Sequence, residues 1–157
     1  MHTIPREVYE AMVGQELGVS RWIGITQGRI DRFAECTGDR QYIHVDPVRA
    51  AASPFGRTIA QGFLTLSMIA EMMSDIPAMA GVETSVNYGL NRLRFIAPVG
   101  VGSRVRGRFL LMQFEQIEPS VIQTVLKITV EIEGERKPAL VAEWLARRYL
   151  AKDSATD

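Results

Sequence analysis

Apolar positions along the chain change period near its middle. In the first half, Ile30, Phe33 and Ala34 fall at i, i+3 and i+4, the spacing of one helix face. Thr26 stands where a cap is needed, and Gly38 stands where a left-handed residue ends a helix. Just upstream, Trp22, Ile23 and Ile25 predict a short strand. Residues 38–46, GDRQYIHVD, read as a loop. Asp46 and Pro47 then open a short helix, VRAAAS, which Pro54 stops. From Gln61 to about Met73 another helix is predicted. Phe63, Leu64, Leu66, Met68, Ile69, Met72 and Met73 cover most of its circumference, and a helix apolar nearly all round belongs in an interior.

In the second half the period becomes two. Segments 84–96, 103–118, 120–133 and 138–150 are rich in β-branched and aromatic residues. Turn signals separate them at Pro98 to Gly102, at Glu118-Pro119-Ser120 and at Gly134 to Pro138. Arg104, Arg106 and Arg108 alternate with Val105, Gly107 and Phe109; the arginines read as a solvated strand face, with a contact to CoA phosphates as the sharper alternative. Ile122, Thr124, Leu126, Ile128, Val130 and Ile132 form one apolar row. Connections this short predict antiparallel neighbours. Helices followed by strands give the α+β pattern, with one long curved antiparallel sheet of about five strands wrapped around one buried helix. Such a sheet leaves an edge, so association is expected.

Composition narrows the picture. The 157 residues contain no internal repeat and no low-complexity linker, and they read as one domain, 1–157, with a small polar tail, 151–157, that frays. With 18 basic and 18 acidic residues there is no net charge to draw the chain to nucleic acid or to an anionic membrane. No stretch approaches the roughly 20 apolar residues of a membrane span. Arg6, Glu7 and Glu10 interrupt the N-terminus where a signal peptide needs an apolar run, so a cytoplasmic location is expected. The single cysteine, Cys36, cannot form an internal disulfide and is read as a small packed hydrophobe. Trp22 and Trp144 are read as core or interface residues.

The chemistry-bearing stretch is GDRQYIHVDPVRAAASPFGRTIAQGFLTLS, residues 38 to 67. His44 is the one histidine away from the extreme N-terminus, and Asp39 precedes it by five residues across a loop. Both side chains exchange protons near neutral pH once burial tunes them, so together they suit adding or removing water. Gly62 lies in the first turn of the apolar helix. Free N–H groups and the positive dipole end there could stabilise charge on a thioester oxygen. An Asp and a His at this spacing mean little in isolation, since a turn Asp and a surface His are the commoner case. Asp46 reads as a cap rather than a catalyst, and Met68, Met72 and Met73 as core filler or flexible pocket lining.

The whole stretch resembles the MaoC-like dehydratase and (R)-specific enoyl-CoA hydratase family, in its nodulation-protein-N-like branch. That pattern has an Asp, four intervening residues, His-x-Asp, a small-residue helix, Ser-x-Phe-Gly, and a His-Gly opening the central helix. Asp39, His44, Asp46, Ser53, Phe55, Gly56 and Gly62 match it. Residues 88 to 105, YGLNRLRFIAPVGVGSRV, resemble the family's second strand and the turn after it. The resemblance implies a hot-dog fold, usually a homodimer whose sheets join. It also implies (R)-specific hydration of trans-2-enoyl-CoA, or of an acyl-carrier-protein thioester, with no metal and no organic cofactor. Asp39 and His44 would hold and activate the water, and the Gly62 N–H would bind the thioester oxygen. Two departures stand out. Gln41 and Tyr42 occupy positions where many members have Asn-Pro, and Gln41 could still reach water or substrate. Gln61 replaces the histidine before the glycine, at the substrate-binding end of the helix. A hot-dog thioesterase and a non-catalytic acyl-thioester-binding subunit are the competing readings; the presence of both Asp39 and His44 favours the hydratase.

Overall fold

The computed structural model describes residues 2–151. In chain order its elements are β1 (Thr3–Ile4), α1 (Arg6–Ala11), β2 (Glu16–Val19), β3 (Ile23–Gly24), α2 (Gln27–Thr37), α3 (Tyr42–Val45), α4 (Pro47–Ala51), α5 (Gly62–Ser67), α6 (Ile69–Met73), β4 (Ala78–Met79), β5 (Val82–Phe95), β6 (Arg104–Glu118), β7 (Val121–Ile132) and β8 (Leu140–Leu150). The predicted caps are in place. The Thr26 hydroxyl accepts the Arg29 N–H, Gly38 ends α2 at φ 78°, and Asp46 caps α4 with Pro47 at its first position.

One six-stranded sheet runs in the order β2, β6, β7, β8, β5, with β3 beside β2 on the same edge of β6. All its pairings are antiparallel. The short Pro98–Gly102 connection does not join neighbours, contrary to the expectation from its length. β5 pairs with β8, and β7 and β8 stand between β5 and β6. Register shifts at Leu111/Gln113 and Asn87/Gly89, among others, are bulges that add curvature to the long strands.

The concave side holds the helical layer. Leu64, Met68, Ile69 and Met72 press on Val105, Phe109, Ile122, Leu126 and Ile128, all of them buried. Gly107 allows this closeness: a Cβ there would come within 2.7 Å of the Phe109 ring and 3.0 Å of the Met72 sulfur. The predicted helix from Gln61 to Met73 is two segments broken at Met68, and one side of it is open, with Phe63 65% exposed. Apolar residues all round therefore did not mean burial all round. Residues 38–46 include one helical turn rather than only loop. Cys36 is exposed, on the polar face of α2, instead of packed. Trp22 lies half-buried with the Arg106 guanidinium 4.4 Å from its ring centre, and Trp144 packs half-buried on the core.

The arginine row lies on the convex side as expected, and it is neutralised. Arg104 pairs with Glu133, Arg106 with Glu131 at 2.6 Å, and Arg108 with Glu131 at 3.2 Å and Glu16 at 2.7 Å. On the other side of the molecule Arg29 and Arg21 both reach Glu71, tying α2 and the β2–β3 link to α6. The Arg29 hydrogen bond is the main reason the Glu71 carboxyl is held below the usual glutamate range. Of the tail predicted to fray, Ala151 donates its N–H to Gly81 O at 2.9 Å; residues 152–157 lie outside the described residues.

Candidate active site

Gly38 reverses the chain at the end of α2, and Asp39 follows directly. The single turn α3 then carries His44 inward, where only 6% of it is exposed. The strip Thr58–Gln61 is held on both sides. Ile59 N–H donates to Ile43 O of this turn at 3.0 Å. An antiparallel bridge between Ile59 and Gly100 joins the strip to the β5–β6 link, with Ala60 N–H donating to Val99 O at 2.8 Å and Val101 N–H to Thr58 O at 2.9 Å. The Ile59 carbonyl, so fixed, lies 2.7 Å from His44 Nδ1. A carbonyl only accepts, so Nδ1 carries a proton, and in the neutral ring Nε2 is the acceptor.

Nε2 faces Asp39 Oδ2 at 3.9 Å. That gap is too long for a direct hydrogen bond. A water lying about 2.8 Å from both acceptors would subtend an angle near 90°, close to its own H–O–H angle. Such a water would donate both hydrogens inward and turn a lone pair outward. The histidine side chain is 8% exposed and the aspartate 40%, so the pair joins an interior wall to an open mouth.

A cavity of about 320 Å³ adjoins His44, lined also by Gly62, Thr65, Phe95, Pro98 and Val99 among others. Gly62 opens α5. The Gln61 side chain does not cap that helix, so its first N–H groups keep their donors. The Phe95 ring lies over Gly62, 3.1 Å from where a Cβ would stand.

The structure thus sets Asp39 beside His44 and lines one cavity with His44 and Gly62, while Asp39 itself is not in that lining. It does not bring Gln41 or Tyr42 to the cavity. Gln41 is exposed and begins α3, and Tyr42 stacks on Arg49 with 4.4 Å between guanidinium and ring centre. Gln61 is 2% exposed and sits behind the site, not in its lining. Its Nε2 donates to Ile30 O at 3.3 Å and to Asp39 O at 3.4 Å, tying the Asp39 backbone to the helix start. Sequence reasoning missed Gln27, which donates to His44 O at 2.7 Å and accepts from the Thr58 hydroxyl at 2.5 Å. It also missed Phe95 and the Ile59 carbonyl. No local pattern marks these three, because each acts on a residue distant in sequence. Among the described residues, no three His, Cys, Asp or Glu side chains converge as metal ligands would.

A family model described as MaoC like domain matches residues 8–132. The chain is 51% identical over 148 residues to nodulation protein N of Rhizobium meliloti, covering 93% of this chain and 92% of that protein. It is 48% identical over 141 residues to 3-hydroxyacyl-thioester dehydratase Z of Mycobacterium tuberculosis, covering 90% and 93%. Among solved structures, the (R)-hydratase from A. caviae involved in PHA biosynthesis superposes with a TM-score of 0.70 at 24% identity, covering 85% of this chain and 94% of that one. The monoamine oxidase regulatory protein from Archaeoglobus superposes with a TM-score of 0.76 at 21% identity, covering 96% and 97%. These two structural likenesses establish the shared α+β fold.

Proposed function

The chain belongs to the MaoC-like domain family, and from that premise we propose that it hydrates a trans-2-enoyl thioester to the (R)-3-hydroxyacyl thioester. The observation that carries this reading is the 3.9 Å gap between His44 Nε2 and Asp39 Oδ2, with Nδ1 locked to the Ile59 carbonyl. The 48% identity to a protein named as a 3-hydroxyacyl-thioester dehydratase supports the same reaction class. The (R) outcome rests on the family resemblance of Asp39, His44 and Asp46.

In this reading the water held by both acceptors attacks C3 as a proton passes from it to the pair. The electrons of the C2–C3 double bond move toward the thioester carbonyl. Negative charge collects on its oxygen, where the first-turn N–H groups of α5 at Gly62 stabilise it. C2 then takes a proton from the pair, and the site returns to its starting charge. No group needs to leave, in contrast to thioester hydrolysis, where water must reach the carbonyl carbon.

The acyl chain is carried by CoA or by an acyl carrier protein, in the cytoplasm, and the working form is a homodimer of one-domain chains. An open sheet edge supports the dimer: among the described residues β5 pairs only with β8, and Val86, Tyr88 and Leu90 along it are exposed. Among the described residues no helix is long and apolar enough to cross a membrane.

Incubation with crotonyl-CoA tests the reaction. The expected result is loss of the conjugated enoyl-thioester absorbance without free thiol, giving the (R)-3-hydroxy product on chiral analysis. Release of thiol would instead identify a thioesterase, and binding without either change a non-catalytic subunit.

A further inference from the structure

The turn that carries His44 is four residues long, too short to hold its shape alone. Its carbonyls are the orphans that every helix end leaves. The Ile43 carbonyl accepts the Ile59 N–H at 3.0 Å, and the His44 carbonyl accepts Gln27 Nε2 at 2.7 Å. Gln27 belongs to a different part of the fold. It is the first residue of α2, directly after the Thr26 cap, and Arg29 two residues on pairs with Glu71 of α6 at 2.9 Å. The amide therefore projects from an anchored helix end.

Every polar atom of that amide is used. Nε2 also donates to Asp31 Oδ1 at 2.8 Å, one helical turn on, and the amide oxygen accepts the Thr58 hydroxyl at 2.5 Å. The partners set its orientation: turned over, the oxygen would face a carboxylate and a carbonyl, which only accept. Thr58 is buried, and it is the residue before Ile59, whose carbonyl lies 2.7 Å from His44 Nδ1. One side chain thus joins the backbone of His44 to the strip that carries the acceptor for its ring.

The consequence is chemical. A neutral imidazole carries one ring proton, and the place of that proton decides which nitrogen accepts. With the Ile59 carbonyl in place the proton stays on Nδ1, and Nε2 faces Asp39 as an acceptor. If the strip and the turn drift apart, Nδ1 loses its partner and the proton can move to Nε2. Nε2 then no longer takes a hydrogen from water. We propose that Gln27 is a positioning residue for His44: it fixes the tautomer and direction of the ring by holding the His44 backbone and the ring's carbonyl partner together. The effect on the ring is independent of the reaction; the effect on catalysis rests on the hydratase reading above.

Ring-nitrogen NMR tests the proposal. The chain has two histidines, His44 and the exposed His2, which serves as the unlocked reference. At about pH 8.5, well above the ordinary histidine value of about 6.5, the spectra report which nitrogen of each neutral ring holds the proton. Wild-type His44 is expected as the Nδ1–H form. Gln27→Met, similar in length and without a hydrogen-bond donor, should move both His44 nitrogens toward the averaged pattern of His2. It should also lower kcat on crotonyl-CoA by about tenfold while KM stays within about twofold. Thr58→Val cuts the same link at its other end and should move the ring in the same direction; it carries the test if Gln27→Met does not fold. Thr58→Ser keeps the hydroxyl and should restore both the wild-type pattern and kcat. A wild-type ring protonated on Nε2, or His44 nitrogens unmoved by the variants, would overturn the proposal. With the nitrogens unmoved, a fall in Tm or in rate would make Gln27 an ordinary brace of the fold. A ring that moves with kcat unchanged would equally remove Gln27 from catalysis. Absence of turnover in wild type, with the ring moving as expected, would remove the hydratase reading and leave the positioning of His44 standing.

Discussion

His44 Nε2 and Asp39 Oδ2 stand 3.9 Å apart, across a space that one water fits and a direct hydrogen bond does not. The relation makes the two groups a unit. Asp39→Asn and His44→Ala should each lower kcat for enoyl-thioester hydration by about 10²-fold or more. The double variant should be little worse than the worse single one, because neither group holds the water alone. Asp46→Asn is the control: asparagine also caps, and the Asp46 carboxylate accepts the Arg49 N–H at 3.0 Å. Steady-state rates on crotonyl-CoA check all four. Near-wild-type kcat in Asp39→Asn, or greater damage from the Asp46 change, would remove the assignment.

Gly62 meets Phe95 where a side chain would begin. A methyl group at Gly62 would lie 3.1 Å from the ring, which is half exposed and can shift by a few tenths of an ångström. Gly62→Ala should therefore leave Tm nearly unchanged while reducing kcat/KM by about tenfold through the displaced ring. Adding Phe95→Leu should recover part of that loss. Strict additivity of the two changes would show that the contact does not govern the site.

Gly107 and Gly100 should behave oppositely when given a methyl group. At Gly107 the new atom would strike the buried Phe109 ring at 2.7 Å and Met72 at 3.0 Å, so Gly107→Ala should destabilise by about 1–3 kcal/mol. At Gly100 it would meet the mobile end of the exposed Arg57 side chain, which can move aside. Denaturant midpoints of the two variants should differ clearly.

The charged contacts predict two different responses. Because Arg104 and Arg108 already hold carboxylates, replacing either with Met should leave KM for crotonyl-CoA and for a short pantetheine thioester equal to wild type. A KM rise confined to the CoA ester would reveal a phosphate contact. Glu71 has a folded-state pKa below its unfolded one, so its stabilisation is present above the unfolded value and is lost as pH falls through the folded value. Glu71→Gln should thus lower stability by at most about 1 kcal/mol at neutral pH, the pair being partly exposed. It should also flatten the acid limb below about pH 4.3.

The bare edge of β5 predicts association. Sedimentation at micromolar concentration should give a dimer, and Tyr88→Lys, placed on that edge at 54% exposure, should weaken it. A stable wild-type monomer would refute the dimer.

The sequence by itself determined whatever depends on near neighbours. Thr26, Gly38 and the Asp46-Pro47 pair marked their helix ends, because a cap is a contact between residues three or four apart. Alternation along 121–132 assigned a face to each side chain of β7. The Asp39/His44 spacing and the Gly62 that follows were legible as chemistry through the family pattern.

Only the tertiary structure decided that β5 lies beside β8, that the apolar helix breaks at Met68 and that Phe63 faces outward. It alone placed the Ile59 carbonyl on His44, moved Gln61 behind the site and carried Arg148 into the interior. Each of these is a contact between segments far apart in the chain. Its partner is chosen by how whole layers pack, and a window of neighbouring residues carries no record of that choice.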